Sequence, residues 1–96
     1  MRAWIVYDIT QNRRRQRIVR ACRDFGLIRA QKSVFVGIVD DSRLESFFAR
    51  LRSEMDENED SVFVLPTDKR LIEEGKYFGK GFDKALAMRE TDILFL

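Results

Sequence analysis

A single carboxylate, Asp8, closes the apolar run "AWIVY", and five arginines follow shortly after it: Arg13, Arg14, Arg15, Arg17 and Arg20. Carboxylate oxygens are hard donors suited to Mg²⁺ or to another divalent cation such as Mn²⁺. Guanidinium forks match phosphate oxygens in pairs. Together these residue types point to phosphodiester chemistry, with a cation on the acid and a polynucleotide backbone on the arginines. Each also has an ordinary use. An aspartate ahead of a helix complements the helix dipole, and a basic helix face can be a merely solvated one.

Other chemistries are excluded by what is missing. Histidine is absent and Cys22 is the one cysteine, which removes the usual zinc ligands and the commonest general base. A disulfide framework is excluded, and a reducing, cytoplasmic setting is expected. "MRAWIVYDIT" is too short to read as an export signal, and no apolar run approaches the roughly 20 residues of a membrane span. The net charge of +2 conceals an imbalance. Residues 1–50 hold eleven lysines and arginines against five acids, whereas residues 51–96 hold seven against eleven. Ten of the first eleven are arginine, which favours an anionic partner on that half.

The acid and the arginines need a strand and a helix to position them. "AWIVY" is apolar and β-prone, and reads as a buried strand. "TQNRRRQ" opens a helix, with Thr10 or Asn12 as its N-cap and Gly26 beyond its end. Ile18, Cys22 and Phe25 form its apolar stripe, making Cys22 an inert core residue. Arg15 extends that stripe toward the sheet, while Arg13, Arg17 and Arg20 share another face. "KSVFVGIV" is a second strand, apolar on both faces, after a short extended piece near Ile28 to Ala30. "DDSRLESFFARLRSEM" is a second helix, capped by Asp41 or Ser42, with Leu44, Phe47, Phe48, Leu51 and Met55 inward. "SVFVLP" is a strand stopped by Pro66, "TDKRLIEE" a short helix and "GKYFGKGF" a loop. "TDILFL" reads as a final strand. Gly75, Gly79 and Gly81 do not make a phosphate loop, because no strand leads into a "GK[ST]" pattern.

This order predicts an α+β fold, a ferredoxin-like βαββαβ split βαβ unit with both helices on one sheet face and the other face open. It forms one domain, 1–96, in which 67–96 is a C-terminal extension. The last strand covers a sheet edge or joins the sheet of a second copy.

"YDIT", the arginine cluster ending in Arg15, "DFG" at Asp24 to Gly26, and "Q-x-SVF" at Gln31 to Phe35 occur in the order of one family. "DSVFVLP" and "TDILFL" are similar to its third and last strands. The sequence resembles the CRISPR-associated spacer-acquisition endonucleases, the smaller core adaptation protein that partners the integrase. The resemblance implies a homodimer in which the two Asp8 carboxylates face each other across the two-fold axis with a divalent metal between them. It also implies metal-dependent endonuclease activity on RNA or DNA, and an adaptor role beside the integrase. Arg15 matches the helix arginine associated with the site, and Ser33 and Phe35 match positions near the dimer axis. Two departures stand out. Gly26 to Gln31 is one residue longer than usual, implying a bulge or longer turn, and Val36 stands where many members carry an acid.

The resulting expectation is a dimeric Mg²⁺-dependent endonuclease with Asp8 as catalytic metal ligand. Arg13, Arg14, Arg15, Arg17 and Arg20 hold nucleic acid, and Tyr7, Ser33 and Phe35 support the site. Tyr7, Ser33 and Phe35 are equally read as packing residues. The rival reading is a non-catalytic DNA-binding adaptor, and a third is a small-molecule-sensing regulatory module.

Overall fold

The computed structural model describes residues 1–81. Its elements are β1 (Arg2–Asp8), α1 (Asn12–Asp24), β2 (Ile28–Gln31), β3 (Val34–Ile38), α2 (Leu44–Glu54), β4 (Ser61–Pro66) and α3 (Lys69–Glu74). The four strands form one antiparallel sheet in the order β2-β3-β1-β4, the ferredoxin-like arrangement expected. β1 is central because it is apolar on both faces, while β4 is an edge strand, where Pro66 costs no ladder bond. The register shifts between Arg29 and Gln31, so the extra residue before Gln31 falls at a bulge. "TDILFL" lies outside the described residues.

Period-two alternation sorts the side chains. Ala3, Ile5 and Tyr7 of β1 and Phe35 of β3 point toward the helices. There they meet Ile18, Ala21 and Cys22 of α1 and Phe47 and Leu51 of α2. Leu44, Phe48 and Met55 pack against this core from α2, as the heptad-like spacing predicts. Phe47 anchors the layer, its ring centroid 4.9 Å from that of Phe25.

Two expectations need correction. Neither helix begins on its predicted cap. α1 has Gln11 at the N-cap with no side-chain bond, because the Thr10 hydroxyl donates to the Glu59 carbonyl instead and Asn12 accepts from Arg15. A 3-10 turn, Asp41–Arg43, precedes α2, and the Asp41 carboxylate pairs with the N-terminal ammonium at 3.2 Å. The second face of the sheet is not fully open either. α3 folds back across it, and Ile72 is buried with Ala30 and Val36, flanked by Trp4, Ile28 and Val34.

α1 ends in a Schellman motif. Leu27 N–H donates to the Cys22 carbonyl and Gly26 N–H to the Arg23 carbonyl, both at 3.0 Å. Gly26 has φ +82° and open space where a Cβ would stand. Gly26→Ala is therefore expected to cost about 1–2 kcal/mol through backbone strain alone, read as a lowered urea midpoint with an unchanged slope. An equal midpoint would show that the turn tolerates a side chain.

Candidate functional site, an exposed carboxylate and a basic groove

Alternation along β1 puts Asp8 on the face away from α1 and α2, in line with Trp4 and Val6 and opposite Ser61 of β4. Its carboxylate is exposed, and it has no hydrogen bond or ion pair to any of the described residues. The backbone carrying it is held on both sides. Before it, Tyr7 N–H donates to the Ser33 carbonyl at 3.1 Å. After it, Arg15 donates to the Ile9 carbonyl through Nε and Nη2, at 3.3 and 3.2 Å, and to the Thr10 carbonyl at 3.4 Å. Arg15 thus reaches the β1–α1 loop as expected, and acts there on the main chain.

A residue the sequence did not single out fixes this loop. Asp60, at the foot of β4, has a side chain with 0% exposure. It accepts from Thr10 N–H at 3.0 Å, from Asp56 N–H at 2.9 Å, and from Arg14 at 2.7 and 3.3 Å. Arg14 also reaches Glu59 at 2.9 Å. The Arg14 guanidinium, aided by the two backbone donors, holds the Asp60 carboxyl well below the usual carboxylate range against the opposing effect of burial. Arg14 is therefore engaged inside the fold rather than lying with the other arginines.

Tyr7 and Phe35 are core residues. The Tyr7 hydroxyl donates to the Lys32 carbonyl at 2.8 Å, and burial raises its pKa although Arg29 works against this. Arg29 donates to the same carbonyl at 2.8 Å and to the Tyr7 oxygen at 3.4 Å. Phe35 pairs with Ile5 in register and so faces the helices, away from the Asp8 side. Ser33 contributes its carbonyl to Tyr7. All three residues position the end of β1. Burial pushes the Cys22 thiol up to about 12, consistent with an inert core cysteine.

The remaining arginines divide. Arg13 and Arg17 are exposed, Arg17 lying 3.9 Å from Glu54 of α2. Arg15 and Arg20 line a groove of about 570 Å³, together with Arg23, Arg29 and Lys32. Asp24 is the one acid on its wall. Arg23, Arg29 and Lys32 were not read as site residues. Arg23 follows Arg20 by one helical step of three, a usable signal. Arg29 and Lys32 join only because the β2–β3 hairpin folds beside α1.

The family model for CRISPR associated protein Cas2 matches residues 1–74. This chain belongs to the Cas2 family. It is 36% identical over 72 residues to the CRISPR-associated endoribonuclease Cas2 of Desulforudis audaxviator, covering 74% of this chain and 68% of that one. A second relative, named CRISPR-associated endoribonuclease Cas2 2, from Chloroflexus aurantiacus, is 27% identical over 85 residues, 88% of this chain and 100% of that one. Among solved structures, Streptococcus pyogenes Cas2 matches with a TM-score of 0.73 and 25% identity, over 82% of this chain and all of that one. The motif series from "YDIT" to "DSVFVLP" thus identified the Cas2 family correctly. No helix among the described residues is long and apolar enough to cross a membrane.

Because the folded state holds Asp60 ionised, its stabilisation is complete above the ordinary carboxylate value of about 3.9 and is lost as pH falls below it. The thermal midpoint should accordingly fall between about pH 4 and pH 2. Asp60→Asn should lower the midpoint at pH 7 and flatten that acid limb, since an amide presents N–H groups to donors already aimed there. A full acid limb in the Asp60→Asn protein would place the titration elsewhere.

Proposed function

We propose that the chain is a homodimeric CRISPR adaptation protein with metal-dependent endonuclease activity on RNA or DNA, in which Asp8 of each copy contributes one ligand to a shared divalent cation. What carries this reading is the placement of Asp8: exposed, without a partner among the described residues, and fixed on the face away from α1 and α2 at the C-terminal end of the central strand β1. Along the same face of β1 and β4, Val6 stands opposite Phe63 and Trp4 opposite Leu65, and Phe63 and Leu65 are 57% and 49% exposed. An apolar strip that ends in an acid, on the part of the face α3 leaves open, suits burial against a second copy. The relatives' designation as endoribonucleases supports the activity.

The donor set fits a hard divalent cation in kind, and in number only across two chains. No group of three or more His, Cys, Asp or Glu comes together among the described residues, and Asp8 is the carboxylate this reading takes from each chain. Mg²⁺ commonly binds through one or two carboxylates plus waters and phosphate. Bound there, it would supply an activated water and charge neutralisation at the phosphate. Arg15 keeps the Asp8 backbone in place, and the groove cations hold the strand. Within the extension 67–96, the strand "TDILFL" is assigned to covering a sheet edge or joining the sheet of the second copy, and the integrase is the partner expected from the family.

The single carboxylate per chain also favours a second reading. The basic groove is complete within one protomer, so a non-catalytic adaptor that binds duplex DNA would need no metal.

Asp8→Asn should reduce metal-dependent cleavage by about 100-fold or more, with the solution mass and nucleic-acid affinity unchanged. Undiminished cleavage would leave the adaptor reading. Arg20→Ala and Arg23→Ala should each lower the slope of log K against log salt by about 0.7–0.9, with little change in thermal midpoint. Arg14→Ala should instead lower the midpoint, because it strands the buried Asp60 carboxylate. Unaltered slopes in both groove variants would put the nucleic-acid surface elsewhere.

A further inference from the structure

The cations do not stop at the α1 groove. Arg29 and Lys32, on its wall, also line a shallow hollow with Ala30, Gln31 and Gly81. Gln31 continues into a third recess on the sheet face that carries α3, where it meets Lys76, Phe78 and Lys80. None of the described residues lining these two hollows is a carboxylate. A predominantly basic surface, with Asp24 the one acid among its described lining residues, therefore runs from α1, around the β2–β3 hairpin, to residues 76–80.

Phe78 stands at the far end of this surface with 92% of its area exposed. Lys76 and Lys80 flank it, two residues to either side. Gly79 and Gly81 take φ +89° and +92°, left-handed values that turn the chain sharply on its C-terminal side. The ring takes no part in the packing on this face, which is built from Ala30, Val36 and Ile72 with Trp4, Ile28 and Val34. An exposed ring between ammonium groups is the arrangement that grips single strands, the ring stacking on a base and the cations meeting its phosphates. Paired bases within a duplex are already stacked on one another and cannot use such a ring.

We propose that this belt receives a single-stranded segment leaving the α1 groove, with Phe78 as the stacking platform for an unpaired base and Lys76 and Lys80 on the neighbouring phosphates. The proposal rests on the nucleic-acid reading above and adds to it a preference for substrates with an unpaired extension.

Binding of two fluorescent oligonucleotides tests it: a blunt duplex, and the same duplex with a single-stranded extension carrying 2-aminopurine. The wild-type chain should bind the extended substrate more tightly and change its 2-aminopurine emission. Phe78→Ala should weaken that binding roughly 5- to 100-fold and abolish the emission change, leaving blunt-duplex affinity within about twofold. Phe78→Trp should restore both. The Lys76→Ala/Lys80→Ala double variant should lower the salt slope by about 1.4 for the extended substrate only. Equal affinities of Phe78→Ala and wild type for the extended substrate, with duplex binding intact, would overturn this proposal alone. So would a lower solution mass for Phe78→Ala, which would place the ring against another protein chain. Failure of the wild-type chain to bind either substrate would remove the nucleic-acid reading, and this proposal with it.

Discussion

The arrangement depends on one buried carboxylate. Asp60 opens β4 while its hydrogen-bond donors come from the β1–α1 loop, from α1 and from the turn before β4. With no exposure of its own, it can be ionised only because those donors replace water, and any one of them lost would leave charge stranded in the fold. The consequence is positional. The loop that follows Asp8 is tied to the strand that pairs with Asp8, so the exposed acid is carried on backbone restrained from two directions. Tyr7 and Arg29 do the same from the hairpin side by converging on the Lys32 carbonyl. A ligand offered at a fixed point loses less freedom when it binds than one on a mobile loop.

The charge imbalance along the chain has a structural outcome. Part of the basic first half is paired with acids of the second: Arg14 with Asp60 and Glu59, Arg17 with Glu54, and Arg50 with Glu54. These pairs lie on the side of α1 that meets α2 and β4. The opposite side, toward β2, keeps Arg15, Arg20 and Arg23, reinforced by Arg29 and Lys32. The helix thus separates cations paired with acids from cations that line the basic groove. A run of five arginines read as a single patch conceals this division.

What the sequence disclosed follows from period and parity. β1, β3, β4 and the inner face of α2 are legible because each is a local pattern, and so is the side of the sheet on which Asp8 must fall. Gly26 is legible because a turn of that hand requires it. The clasp is not, since Arg14 and Asp60 are 46 residues apart and Asp60 sits in an acidic run that reads as solvated loop. The helix caps were misplaced for the same reason: Thr10 has a tertiary partner better placed than its own helix. Return of α3 to the open face rests on one side chain, Ile72, too little periodicity to signal burial. Arg29 and Lys32 became groove residues through hairpin packing, which no local pattern announces.

The uneven covering of the face away from α1 and α2 bears on how two copies would meet. α3 and Tyr77 occupy the half over β2, β3 and Trp4, leaving the half with Val6, Asp8, Phe63 and Leu65 as the apolar surface available for pairing. Contact there would exclude water from the very carboxylates it brings together. Two like charges drawn close in a low dielectric repel strongly unless a cation lies between them. Under the proposed reading, dimer formation and cation binding are therefore linked: the ion relieves the repulsion that pairing creates, and pairing supplies the second ligand that the ion lacks. By that linkage a cation that binds the pair also tightens it. The same electrostatics argues against close approach of the two acids in a dimer without one, so carboxylate separation and metal affinity are two measures of a single coupling.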